Sequence, residues 1–277
     1  MSEPKGGARI LPASPGTPLP KARFFVEPDK LTQDRAILNP AACHHLKNVL
    51  RLKPGAEVVV FDGAGRECLG VLETFQGDNA IVRILGDTDR ATESSLELTV
   101  VLCLAKGKKT DLCIEKSVEL GVDHICVVSS KRSVGRISDE SAISRVERWR
   151  RVAVAAAEQA RRTEVPVVER VQSFDDFMSQ EKPEDTLGLL FTVGAEPDPP
   201  ATLRQRYPNT HKVIAVIGPE GGFTREEIEI ADKHGYQSVG LGPRVLRAET
   251  AAIVAVAICQ HLWGDLGRKP PNFPPKD

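Results

Sequence analysis

The stretch Val213-Ile214-Ala215-Val216-Ile217-Gly218-Pro219-Glu220-Gly221-Gly222-Phe223 decides the fold class. An apolar, mostly β-branched run stops at a glycine-bearing loop, and Thr224-Arg225-Glu226-Glu227 then reads as a capping box that opens a helix ending near Gly235. Strand, loop and helix in that order are the repeating unit of a parallel α/β sheet. A second such junction follows, where Ser238-Val239-Gly240 leads into Leu241-Gly242-Pro243-Arg244-Val245-Leu246-Arg247-Ala248-Glu249-Thr250-Ala251. Both loops fall outside the carboxyl ends of strands, where ligands bind in such sheets. Glycine there lets main-chain N–H and C=O groups approach a ligand with no Cβ between them. Neither loop carries a phosphate-loop signature, which points to a cofactor held mainly by main chain.

Outward from these loops the alternation continues. Leu96–Ala105, Ile125–Ser129, Val165–Val171, Leu187–Val193, Val213–Ile217 and Val239–Leu241 read as strands. Thr110–Leu120, Ser141–Arg162 and Ala248–Leu262 read as helices. The pattern predicts a doubly wound parallel sheet with helices on both faces over residues 96–264. Residues 86–95 are polar and read as a linker. From Arg23 to residue 86 short strands alternate with turns, as in Glu57–Phe61, Cys68–Leu72 and Ala80–Leu85, which predicts a small β-barrel or sandwich. Only His44–Leu52 has helical spacing there. The proline-rich residues 1–22 read as a disordered leader, and 268–277 as a flexible tail.

The 277 residues suffice for two domains. The longest apolar stretch, Ala251–Cys259, is far shorter than the roughly 20 residues of a membrane span. Six scattered cysteines with no C-x-x-C pair suggest neither a metal site nor a disulfide framework, and fit a reducing cytoplasm. A net charge of −1 argues against nonspecific coating of nucleic acid, yet cations cluster at Lys106, Lys108, Lys109 and Lys116, at Lys131, Arg132 and Arg136, and along Arg145 to Arg162.

Three motifs fail on inspection. Gly63-Ala64-Gly65 precedes a strand rather than a helix, so it is a hairpin turn and not a dinucleotide fingerprint. Gly107-Lys108-Lys109-Thr110 has Leu102 in place of the first phosphate-loop glycine. His44-His45 point about 100° apart on a helix and cannot share a metal. Glu158-Gln159-Ala160-Arg161-Arg162 is either a solvated helix end or a set of groups able to bond a base edge and a phosphate. Glu249 suits the first turn of its helix whatever else it does. That last helix is apolar around most of its circumference, which suits one face against the core and another against a second chain.

Together the two loops resemble the paired signature of the bacterial 16S ribosomal RNA uracil-N3-methyltransferases, in the SPOUT class of S-adenosylmethionine enzymes. Lys106-Gly107-Lys108 with Glu115 to Val122, Lys131-Arg132-Ser133-Val134, and Glu158-Gln159-Ala160-x-Arg162 resemble further family segments. His45-Leu46-x-x-Val49-Leu50-Arg51 with Phe61-Asp62-Gly63 resembles the family's PUA-like RNA-binding domain. Ala160 stands where Ser or Cys is commoner, and the loop after Phe191 lacks the usual proline.

The resemblance implies a SPOUT-type trefoil-knotted sheet preceded by a PUA-like β-barrel, a cytoplasmic homodimer, and methylation of one uridine in the 16S RNA of the small ribosomal subunit. It implies S-adenosylmethionine bound by Thr192, by Gly218, Pro219, Glu220, Gly221 and Gly222, and by Leu241, Gly242, Arg244, Leu246 and Arg247. Arg162 is then the candidate for stabilising charge on the base, with Gln159 orienting it and Glu249 or Glu158 accepting its proton. Arg51, Lys106, Lys108, Lys116 and Arg132 are candidates for holding RNA. No metal is implied. The rival readings are a nonenzymatic ribosome-assembly factor, which need not keep both cofactor loops, and a nucleotide-dependent oxidoreductase, which needs a G-x-G-x-x-G that is missing.

Overall fold

The computed structural model describes residues 20, 22–89, 92–104, 109–133, 139–193 and 198–267. The expected leader before residue 20, the tail from 268, and Lys106, Lys108 and residues 194–197 lie outside the described residues. The chain divides into two compact units. Among the described residues, one runs up to Thr92 and takes in Arg161–Glu164, and the other comprises Glu93–Ala160 and Val165–Gly267.

The first unit contains β1 (Arg23–Phe25), β2 (Arg35–Leu38), α1 (Pro40–His44), β3 (Glu57–Phe61), β4 (Glu67–Gln76) and β5 (Asn79–Asp87). They form a five-stranded sheet in the order β1-β3-β4-β5-β2. β1 runs parallel to β3, and the other pairings are antiparallel, with register shifts in β4 that bend the sheet into a half-barrel. Alternation puts Val58, Val60, Leu72, Ala80 and Val82 into one core with Phe24, Leu38 and Leu46. Asn39 caps α1 by accepting from the Ala42 N–H, and Pro40 starts it. The helical spacing in His44–Leu52 is realised as a wide π-type turn, His45–Val49, in which Leu46 is buried. Arg51 then takes a left-handed backbone with φ 54°.

The second unit contains β6 (Glu97–Cys103), α2 (Lys109–Glu119), β7 (His124–Ser129), α3 (Asp139–Ala160), β8 (Val167–Val168), β9 (Gln172–Ser173), α4 (Phe174–Ser179), β10 (Thr186–Phe191), α5 (Pro200–Arg206), β11 (Lys212–Ile217), α6 (Arg225–Lys233), β12 (Tyr236–Val239) and α7 (Ala248–Leu262). The sheet is parallel throughout, in the order β12-β10-β11-β6-β7-β8, with β9 also on β7. Because successive strand residues face opposite sides, Val101, Val128, Ile214 and Val216 pack with Phe174, Phe177 and Ala231 of α4 and α6. The strands' other face meets α7 and α2, and α2 in turn packs on α3. Helices thus cover both faces, as the sequence pattern predicts.

Three details differ from the sequence reading. The last strand is Tyr236–Val239 rather than Val239–Leu241, because Thr192 N–H bonds the Val239 carbonyl and pairing ends there. The strand expected over Val165–Val171 shrinks to Val167–Val168, at the sheet edge. The long helix stops at Ala160 and not at Arg162: Arg161 turns left-handed, with φ 62°, and the chain leaves the helical path. The four residues that follow group with the first unit. Gly65 N–H donates to the Thr163 carbonyl at 3.2 Å, and Glu164 bridges Gly63 and Ala64.

Candidate cofactor pocket

The site begins with strand order. β12, β10 and β11 are neighbours, so the loops leaving their carboxyl ends emerge side by side. Phe191, Thr192 and Val193 follow β10, Gly218 to Phe223 follow β11, and Leu241 to Ala251 follow β12; residues from all three segments line one pocket. Of the residues expected there, Thr192, Gly218, Pro219, Glu220, Gly222, Leu241, Arg244 and Leu246 are in the lining. Gly221, Gly242 and Arg247 are not. Gly242 has φ 90° with open space where a Cβ would sit, and Gly222 has φ 65°, so the backbone course itself favours glycine at both. Phe191, Ile217, Pro219, Leu241 and Leu246 give the pocket apolar walls suited to a flat ring.

Charge gathers beside the pocket. Lys109 Nζ, on the first residue of α2, lies 2.9 Å from Glu220 Oε1 and 3.6 Å from Glu249 Oε2. The Glu220 hydrogen bond, with the charges of both carboxylates, holds the Lys109 ammonium above its ordinary value. Burial, and then the charges of Glu249 and Glu220, push the Cys113 thiol up to about 11. Glu249 Oε2 is buried and makes no hydrogen bond among the described residues. Its nearest cation is the Lys109 ammonium at 3.6 Å, which leaves it room to accept a closer bond. Arg132 donates to the carbonyls of Gly221, at 2.9 Å, and Phe223, at 3.3 Å. The buried Glu227 carboxylate accepts from the Lys131 and Thr224 N–H groups, both at 2.8 Å, which ties the 131–132 turn to the start of α6.

A family profile described as an RNA methyltransferase domain matches residues 92–260, and one described as an RNA methyltransferase PUA domain matches residues 38–85. The chain belongs to the RNA methyltransferase family. Within the family it is 33% identical over 237 residues to the ribosomal RNA small subunit methyltransferase E of Synechocystis, covering 85% of this chain and 76% of that one. Against the Bacillus subtilis protein of the same name identity is 29% over 245 residues, covering 86% and 96%. The crystal structure of the Neisseria gonorrhoeae small subunit methyltransferase E bound to S-adenosyl methionine superimposes with TM-score 0.78 at 32% identity, over 88% of this chain and 98% of that one. A Legionella pneumophila structure with bound S-adenosylmethionine gives TM-score 0.80 at 31% identity, over 88% and 98%.

The remaining family candidates fall elsewhere. Arg162 is buried, in the segment that groups with the first unit, while Glu158 and Gln159 stay on the last turn of α3. Arg51 is exposed on the first unit, beside exposed Val49 and Leu50. Lys116 pairs with Glu115 and Glu119, each at 2.7 Å, so much of its charge is met on its own helix. All six cysteines are buried and free. Among the described residues no group of three or more His, Cys, Asp or Glu is placed to hold a metal, and no helix is long and apolar enough to cross a membrane. Lys109 as a partner of the pocket carboxylates was not legible in the sequence: Glu220 lies 111 positions away, and no spacing rule joins them.

Proposed function

We propose that this chain methylates N3 of a specific uridine in the 16S RNA of the small ribosomal subunit, with S-adenosylmethionine as donor. The observation that carries this reading is the convergence of three loops from adjacent parallel strands on one apolar-walled pocket, in a chain of this family. S-adenosylmethionine supplies a methyl activated by a sulfonium charge. The pocket residues fit it: the 218–222 and 241–246 main chain would hold it, apolar walls would take the flat base, and Glu220 and Glu249 place negative charge beside a cationic ligand.

The chain's own tasks are to hold the uracil, to favour its deprotonated form and to take up the proton. Arg162 stabilises the charge that develops on the ring oxygens. Gln159 orients the base edge. Glu249 or Glu158 accepts the proton; the buried Oε2 of Glu249, held among the described residues only by its 3.6 Å ion pair with Lys109, supports Glu249. Reaching such a pocket requires the base to leave its stack. Arg51 on the first unit and the Lys106, Lys108, Lys116 and Arg132 group hold phosphates, with Arg132 also bracing the glycine loop. The same reading includes a trefoil knot. It also includes a cytoplasmic homodimer that covers the outer apolar face of α7.

The test is mass mapping of small-subunit RNA from cells lacking this protein, before and after incubation with the protein and S-adenosylmethionine. One uridine should gain a methyl at N3. RNA left unchanged by free and subunit-bound incubation alike would end the proposal.

A further inference from the structure

Arg23 has no task in the reaction as described, yet it is held on three sides. Its Nε donates to Glu67 Oε2 at 2.7 Å, and its side chain is 6% exposed. Its guanidinium carbon lies 3.6 Å from the centre of the Phe61 ring. A terminal nitrogen donates to the backbone carbonyl of Arg162. Glu67 is itself fixed, since its Oε1 accepts from Thr88 Oγ1 at 2.7 Å. The turn that receives this bond is strained. Arg161 is a non-glycine residue with φ 62°, and such a conformation persists only where its surroundings over-determine it. The Gly65 bond to Thr163 and the bridges from Glu164 hold the same turn.

We propose that Arg23, locked by Glu67, is a positioning residue that sets the backbone at Arg162 and so aims its guanidinium at the substrate base. This rests on the reading of Arg162 as the group that faces the uracil. Arginine is required because one planar fork serves a carboxylate, a carbonyl and an aromatic face together, which the single ammonium of lysine does not do.

The test separates aim from stability. Arg23→Met combined with Glu67→Met removes the ion pair without leaving a buried lone charge. This variant should keep its melting temperature and its affinity for S-adenosylmethionine, while single-turnover methylation slows on the order of ten- to a hundredfold, the scale of a small misplacement. Arg23→Lys, which keeps the charge, should slow to a similar degree, and it decides alone if the double variant does not fold. Full-rate turnover in a folded Arg23 variant overturns the proposal. Arg162→Ala is measured alongside. If it keeps its turnover, the reading of Arg162 falls and the proposal with it. If it is inactive while the Arg23 variants run at full rate, only the proposal falls.

Discussion

At the scale of single residues, the pocket rests on backbone that only glycine takes without strain, and on one arginine, Arg132, whose partners are main chain. Gly242, with φ 90°, has room for a side chain but not the conformation for one. Gly242→Val should therefore disturb the 241–246 loop through about 1–3 kcal/mol of backbone strain rather than by a clash with the protein. Calorimetry should show S-adenosylmethionine affinity falling by about 5- to 150-fold for a strain of that size; parental affinity would mean that the loop does not hold the ligand. Arg162→Ala should leave cofactor binding intact while single-turnover methylation drops on the order of 10²–10³-fold, the usual effect of removing one charge-stabilising donor. Unchanged turnover would refute that assignment. The glycine loops were legible in the sequence because their spacing after apolar runs is local information. The role of Arg132 was not: the sequence shows a cation in a basic cluster, and only the structure shows it bonded to the carbonyls of Gly221 and Phe223.

At the scale of elements, α6 shows how a cap reaches the site. Thr224 accepts from the Glu227 N–H at 3.3 Å, and Glu227 returns the bond while also accepting from Lys131. Thr224→Ala should lower stability by about 1 kcal/mol, the ordinary loss of an N-cap. Glu227→Ala leaves two backbone donors without their acceptor and should lower it by about 2 kcal/mol or more. Denaturant midpoints should fall in that order, and only Glu227→Ala should also weaken cofactor binding, by freeing the turn that carries Arg132. Equal effects of the two substitutions on both measurements would contradict this. Long or strongly patterned elements were readable from sequence: α7 spans Ala248–Leu262 and β3 spans Glu57–Phe61, both as expected. Two short helices, α4 with six residues and α5 with seven, were not, because they complete too few turns for a 3.6-residue period to stand out.

At the scale of the whole molecule, α7 buries Ala252, Ala255, Val256 and Cys259 against its own unit and still presents the half-buried Val254 and Ile258 elsewhere on its surface. A monomer gains nothing from these residues on a helix already anchored, whereas a second copy could cover them. Val254→Asp should convert the proposed dimer to a monomer by light scattering at micromolar concentration, and a parent protein that is monomeric under the same conditions would remove the dimer from the reading. The division into units was only partly legible. The polar stretch near residue 90 marks a break that sequence can see, but the return of Arg161–Glu164 to the first unit depends on bonds to Arg23 and Gly65 from across the sequence. That tetrapeptide constrains heredity as well as shape. A recombination event that exchanged the amino-terminal third with a distant relative's would deliver a new β1 and β3–β4 turn to an old Arg161–Glu164, so the two stretches must change together or not at all.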